Sequence, residues 1–152
     1  MRALTFCRAA LLVVLASFAA GCSVSMQLPK DFLELRDGDE LQAVTGDDAR
    51  LWARVFEVDH AASLAFWSEA VEHDFVHQRG YEVVGRGAIE GKRSAAGVWW
   101  ECAANVRGER IGYLLALWVA GDEVRVVEFA ARAEVFAARL DAVKQALPSV
   151  RW

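Results

Sequence analysis

The stretch that decides the fold is Val98–Phe129, VWWECAANVRGERIGYLLALWVAGDEVRVVEF. It reads as three strands, Val98–Val106, Ile111–Val119 and Glu123–Phe129, separated by the turn-type sequences Arg107-Gly108-Glu109 and Gly121-Asp122. Successive side chains of a strand point to opposite faces. Val98, Trp100, Cys102, Ala104 and Val106 therefore share one face, and Trp99 lies on the other. In the second strand Ile111, Tyr113, Leu115, Leu117 and Val119 fill one face, while Leu114, Ala116 and Trp118 fill the other. A strand apolar on both faces belongs inside a sheet that is covered on both sides. The run is also too short for a membrane helix, which needs about 20 residues.

The cover must come from helices, and the pattern supplies two. From about Ala61 to Gln78, Leu64, Trp67, Val71 and Phe75 recur at helical spacing; Asp59 is placed to cap the start, and Gly80 ends the run. From about Arg132 to Ala146, Phe136, Leu140, Val143 and Leu147 form a second stripe, which Pro148 stops. Upstream, Phe32–Leu35 reads as a short strand ending at Asp37-Gly38. Leu41–Thr45 and Leu51–Val58 read as a hairpin through Gly46-Asp47-Asp48. Tyr81–Ile89 is an irregular strand broken by glycines. Strands, helix, meander and helix in that order give an α+β fold, an α/β/α sandwich on an antiparallel sheet flanked by two amphipathic helices.

The layout resembles the PsbP-like fold. The carrying stretches are Trp67–Tyr81 (WSEAVEHDFVHQRGY) and Tyr113–Ser149, and the likeness extends over most of Leu28–Trp152. Families with this fold include extrinsic photosystem subunits, a Ran-binding protein and many bacterial lipoproteins of no known activity. The resemblance implies a binding or accessory module.

The first 22 residues, MRALTFCRAALLVVLASFAAGC, combine two arginines, an apolar segment at Ala9–Ala20 and small residues before a cysteine. Twelve residues suit the core of a secretory signal and are too few to span a bilayer. Ala19-Ala20-Gly21-Cys22 resembles the lipobox of bacterial lipoproteins, with Ala19 where the family usually has Leu. The resemblance implies cleavage between Gly21 and Cys22, acylation of Cys22 with chains such as palmitate, and attachment to the bacterial membrane. By likeness to the enterobacterial sorting rule, Ser23 favours the outer membrane. The chain then divides into a signal peptide at 1–21, a lipidated tether at 22–27 and one globular domain at 28–152.

The charge of the 152-residue chain is −4, and removing Arg2 and Arg8 with the signal moves it to −6. Such a surface lacks the clustered basic footprint that nucleic acid needs. Cys7 leaves with the signal and Cys22 carries lipid, so Cys102 has no partner within the chain and packing must hold the fold.

Few side chains suggest chemistry. Glu69, His73 and His77 fall at four-residue steps on the first helix, opposite the Leu64/Val71 stripe, and read as a solvated face in preference to a metal site. Cys102 lies on the strand face of Trp100 and Ala104 and reads as a small core residue in preference to a nucleophile. Gly85–Gly91 has GxGxxxG spacing with no helix to receive a pyrophosphate. Asp37, Asp39, Asp47 and Asp48 lack EF-hand spacing and read as turn residues. Most of the six tryptophans read as core anchors, with Trp152 docking back onto the domain. No catalytic set, metal or cofactor is implied. The expectation is a non-enzymatic, membrane-anchored domain that meets an unknown envelope protein and no nucleic acid. The alternatives are a carrier of a small apolar ligand, or a hydrolase or metal-binding enzyme using His73, His77 or Cys102.

Overall fold

The computed structural model describes residues 23–90 and 96–152, apart from the side chains of Arg36 and Asp37. The signal segment, Gly21 and Cys22 lie outside the described residues. Seven strands form one sheet: β1 (Leu33–Asp37), β2 (Glu40–Val44), β3 (Arg50–Glu57), β4 (Glu82–Ile89), β5 (Gly97–Val106), β6 (Glu109–Ala120) and β7 (Glu123–Arg132). Their spatial order is β1-β2-β3-β7-β6-β5-β4, with every neighbouring pair antiparallel. Helix α1 (Leu64–His73) lies in the connection from β3 to β4, and α2 (Ala133–Ala146) follows β7. The fold is the α+β sandwich expected, with a helix on each face.

The two faces of β6 close two separate cores. On the α2 face Leu114, Ala116 and Trp118 pack with Leu41, Ala43, Leu51, Val127, Phe129, Phe136 and Val143. On the α1 face Leu115 and Leu117 pack with Phe75, Trp100, Cys102, Val124 and Val126. Helix α2 approaches the sheet over Gly112, where a Cβ would overlap the Phe136 ring. Phe136 in turn stacks on Phe129 at 5.0 Å. At the far side of α2, Lys144 donates to Glu101 at 2.8 Å and lies 3.8 Å over the Trp99 ring.

Three details depart from the sequence reading. The cap of α1 is Ser63, whose Oγ accepts from Phe66 N at 3.1 Å; Asp59 stands too far upstream to satisfy the first-turn amides. The helix then widens into a π turn, Asp74–Gln78, which turns Phe75 into the core while leaving His77 exposed. Finally, the segment read as a tether is docked from Val24 onward. Val24 is buried and donates to Asp39 O at 3.2 Å. Ser25 and Arg151 exchange backbone hydrogen bonds at 3.0 and 2.8 Å, and Gln27 N donates to Ser149 Oγ at 3.0 Å. The apolar side chains of Val24, Met26 and Leu28 pack into the α2-side core with Val150, so residues read as tether take part in the packing. Trp152 docks in the same place, 5.5 Å from Trp118.

The close approach at Gly112 is testable. Gly112→Ala forces the Phe136 ring aside and is expected to lower stability by about 1–3 kcal/mol in urea unfolding, the usual scale of overpacking. Gly46→Ala, with nothing near its Cβ, is expected to stay within about 0.5 kcal/mol of the parent.

Candidate functional site

On the α1 face the helix and the sheet do not meet along their whole length. The stripe Leu64, Trp67, Val71 and the following Phe75 seats α1 over β5, β6 and β7. Glu72 clamps it there, accepting from Trp100 Nε1 and from Arg86 Nη1, each at 2.9 Å. Toward β3 the helix stands off, leaving a cleft of about 530 Å³. Its walls include Phe56, Val58, Trp67, Val71, Leu115 and Leu117. That size and apolar character fall within the range of small-molecule sites.

One end of the cleft is polar. The register sets Trp52 opposite Glu128 and Arg54 opposite Val126, which brings Arg54 and Glu128 side by side on the α1 face. Glu128 accepts from Arg54 Nη2 and, at 2.7 Å, from the Tyr113 hydroxyl. The guanidinium of Arg54 lies over the rings of Trp52 and Phe56, at 4.8 and 5.1 Å. Burial, with the neighbouring Glu128 carboxylate adding to it, pushes the Tyr113 phenol far above its ordinary value. It therefore stays protonated and donates. Across the cleft Arg79 pairs with Asp74 at 2.6 Å. Arg54 Nε and Trp67 Nε1 are sealed from solvent with no acceptor among the described residues. Four of the charges at this end are matched in pairs, Arg54 with Glu128 and Arg79 with Asp74.

The residues singled out from the sequence lie elsewhere or serve the core. Glu69, His73 and His77 are exposed on the outer side of the helix, with the two imidazole rings 4.6 Å apart. Among the described residues no three His, Cys, Asp or Glu side chains converge as a metal site would require. Cys102 is buried in the α1-side core, and burial followed by the Glu101 charge pushes its thiol up to about 11. Asp47 hydrogen-bonds Arg139, at 2.8 Å, and Thr45; these bonds hold its carboxyl below the ordinary range. Asp48 pairs with Arg50 at 3.0 Å. Gly85 and Gly87 lie within β4 beside a bulge, while Gly91 and the Asp37 side chain lie outside the described residues. The sequence reading missed Arg54, Glu128 and Tyr113. Their meeting depends on the pairing of β3, β7 and β6, although Tyr113 and Glu128 each stand out as a polar group in a largely apolar strand face.

No sequence family matches the chain, and no curated protein does. Solved structures do. The cyanobacterial PsbP (CyanoP) of Synechocystis superposes with a TM-score of 0.57 at 7% identity, covering 86% of this chain and 92% of that one. The fold is PsbP-like. LpqN of Mycobacterium tuberculosis, described as involved in cell envelope biogenesis, gives a TM-score of 0.60 at 12% identity over 79% of this chain and 77% of its own. A protein from Bacteroides thetaiotaomicron gives 0.53 at 14% identity; it covers 86% of this chain, which spans only 45% of that protein's length. At these identities the likeness concerns fold alone.

The environment of Cys102 yields a pH-dependent expectation. In the chain from residue 23 onward Cys102 is the sole thiol. Its thiolate, the reactive form, is roughly 100-fold scarcer in the folded protein than at the ordinary value of 9.0, so a thiol reagent at pH 8 is expected to label folded protein at least that much more slowly than protein in guanidinium. The folded value is the raised one, so this contribution to stability is present below pH 9 and is lost as pH rises toward about 11.

Proposed function

We propose that the chain is a bacterial envelope lipoprotein, acylated on Cys22, whose domain is a non-enzymatic binding or accessory module. The observation that carries the binding part is the apolar cleft between α1 and β3, with its paired polar end at Arg54, Glu128 and Tyr113. The envelope part rests on the sequence before Cys22, and the involvement of LpqN, a protein of similar fold, in cell envelope biogenesis agrees with it. No described helix is long and apolar enough to cross a membrane, so acyl chains on Cys22 would supply the attachment. Each chain contributes about 0.8 kcal/mol per buried methylene, and two or more hold a domain stably.

A second reading is favoured by the cleft itself: carriage of a small apolar ligand. Most of the walls are apolar side chains that gain by shedding water, with charged groups gathered at Arg54, Glu57, Asp74, Arg79 and Glu128. An uncharged molecule with an apolar body suits this lining better than an anion, since Glu57, Asp74 and Glu128 outnumber Arg54 and Arg79 around it.

Both readings have direct tests. In the native host, Cys22→Ser is expected to move the protein from the membrane fraction to the soluble fraction and to abolish incorporation of labelled palmitate; retention of both would end the lipoprotein reading. For the cleft, Nile red is expected to gain fluorescence with the parent domain. Val71→Trp, at a half-buried position lining the cleft, should weaken that binding at least tenfold (about 1.4 kcal/mol) while thermal unfolding stays cooperative. Equal dye binding by both proteins would remove the cleft from the account.

A further inference from the structure

The α1 face of the sheet is only half covered. Beyond the cleft, β1, β2 and β3 carry no helix on this side among the described residues, and their register aligns the exposed side chains. Leu35 lies opposite Gln42, which lies opposite Trp52; Leu33 lies opposite Val44, which lies opposite Arg50. Leu33, Leu35, Trp52 and Phe56 are 69%, 46%, 41% and 43% exposed. These four large apolar side chains therefore occupy one face of one three-stranded wing. Scattered exposed hydrophobics are ordinary, but a shared patch of this kind marks a contact surface.

The docking of Val24 indicates what covers the wing. Val24 N is bonded to Asp39 O in the turn between β1 and β2, the hairpin that carries Leu33 and Leu35. Only Ser23 separates that contact from Cys22. At about 3.3–3.6 Å per residue, the acylated atom stays within roughly 10 Å of the hairpin. An acylated Cys22 would thus keep a bilayer surface near the tip of the β1–β2 hairpin, and weak apolar contacts suffice once attachment has made the encounter intramolecular.

We propose that the β1–β3 wing rests on the lipid bilayer, with Leu33, Leu35, Trp52 and Phe56 in the boundary between headgroups and acyl chains; this rests on the acylation of Cys22 proposed above. The side-chain chemistry matches that boundary. Tryptophan and arginine are at home there, and Arg54 already lies over Trp52 and Phe56. Two of the neighbouring acids are ion-paired, Asp48 with Arg50 and Glu128 with Arg54, and Glu40 accepts from Trp52 Nε1 at 3.0 Å.

The test supplies the anchor chemically. The chain from Cys22 on contains every described residue and so the whole fold. Its Cys22 thiol is coupled to maleimide-headgroup lipid in phosphatidylcholine vesicles; buried Cys102 does not compete. With acyl-chain-brominated lipid, tryptophan emission is expected to fall by roughly one-sixth, the share of Trp52 among six tryptophans, and Trp52→Phe should abolish that loss. Leu35→Ser, at an exposed site that leaves the fold intact, should at least halve it. Equal emission loss in parent and Trp52→Phe proteins, including none in either, overturns the proposal. The vesicle result does not depend on acylation in cells, and the Cys22→Ser fractionation judges that reading separately.

Discussion

A helix about 10 Å across covers roughly two strands spaced 4.8 Å apart, and this sheet is seven strands wide. The rest of the structure depends on how that shortfall is met. On the α2 face the chain termini meet it. Val24, Met26 and Leu28 arrive from one end, Val150 and Trp152 from the other, and the backbone bonds between Ser25 and Arg151 lock the two segments together. Phe32 closes the remaining gap, edge-on to Phe129 at 6.1 Å. That face is continuously apolar from β2 to α2.

Among the described residues the α1 face receives no such supplement. Helix α1 has ten residues, about 15 Å of length, and Glu72 fixes it toward β4 and β5 through Arg86 and Trp100. A helix held on that side cannot also reach β3. The π turn at Asp74–Gln78 then directs Phe75 inward among Trp100, Tyr81 and Tyr113, where four rings meet at 5.7–6.3 Å. The aromatic cluster fills the region under the end of the helix and leaves the region toward β3 as a cleft. Cleft and wing are thus two consequences of one asymmetry in coverage.

Much of this was legible in the sequence. Alternation in Ile111–Val119 is a local signal, and a strand apolar on both faces demands cover; the stripes Leu64–Phe75 and Phe136–Leu147 supply it at helical spacing. Those signals do not depend on which strand pairs with which. The cap at Ser63 and the π turn were not legible, because both turn on a single residue's backbone geometry. The docking of Val24 was missed for another reason: its partners Asp39, Val150 and Arg151 are distant in the chain, and a short segment with two serines shows no periodicity. The polar end of the cleft needed register. Arg54, Tyr113 and Glu128 come from three strands, and nothing in the spacing of residues 54, 113 and 128 announces that they meet.

Cleft and wing are not independent. Arg54 and Phe56 belong to both: they line the cleft, Phe56 is one of the exposed side chains of β3, and half-buried Arg54 lies over its ring. A surface that covers Trp52 and Phe56 also covers that side of the cleft, and a molecule lodged against Phe56 and Arg54 alters what the wing presents. Because Arg54 is held by Glu128 and lies over two aromatic rings, it cannot shift for one partner without changing the contact offered to the other. Thermodynamic linkage makes such coupling reciprocal: whatever a bound molecule does to the wing's affinity for a surface, that surface does equally to the cleft's affinity for the molecule. The shared side chains place the two events on one face of one sheet, and Arg54 is the residue through which each would sense the other.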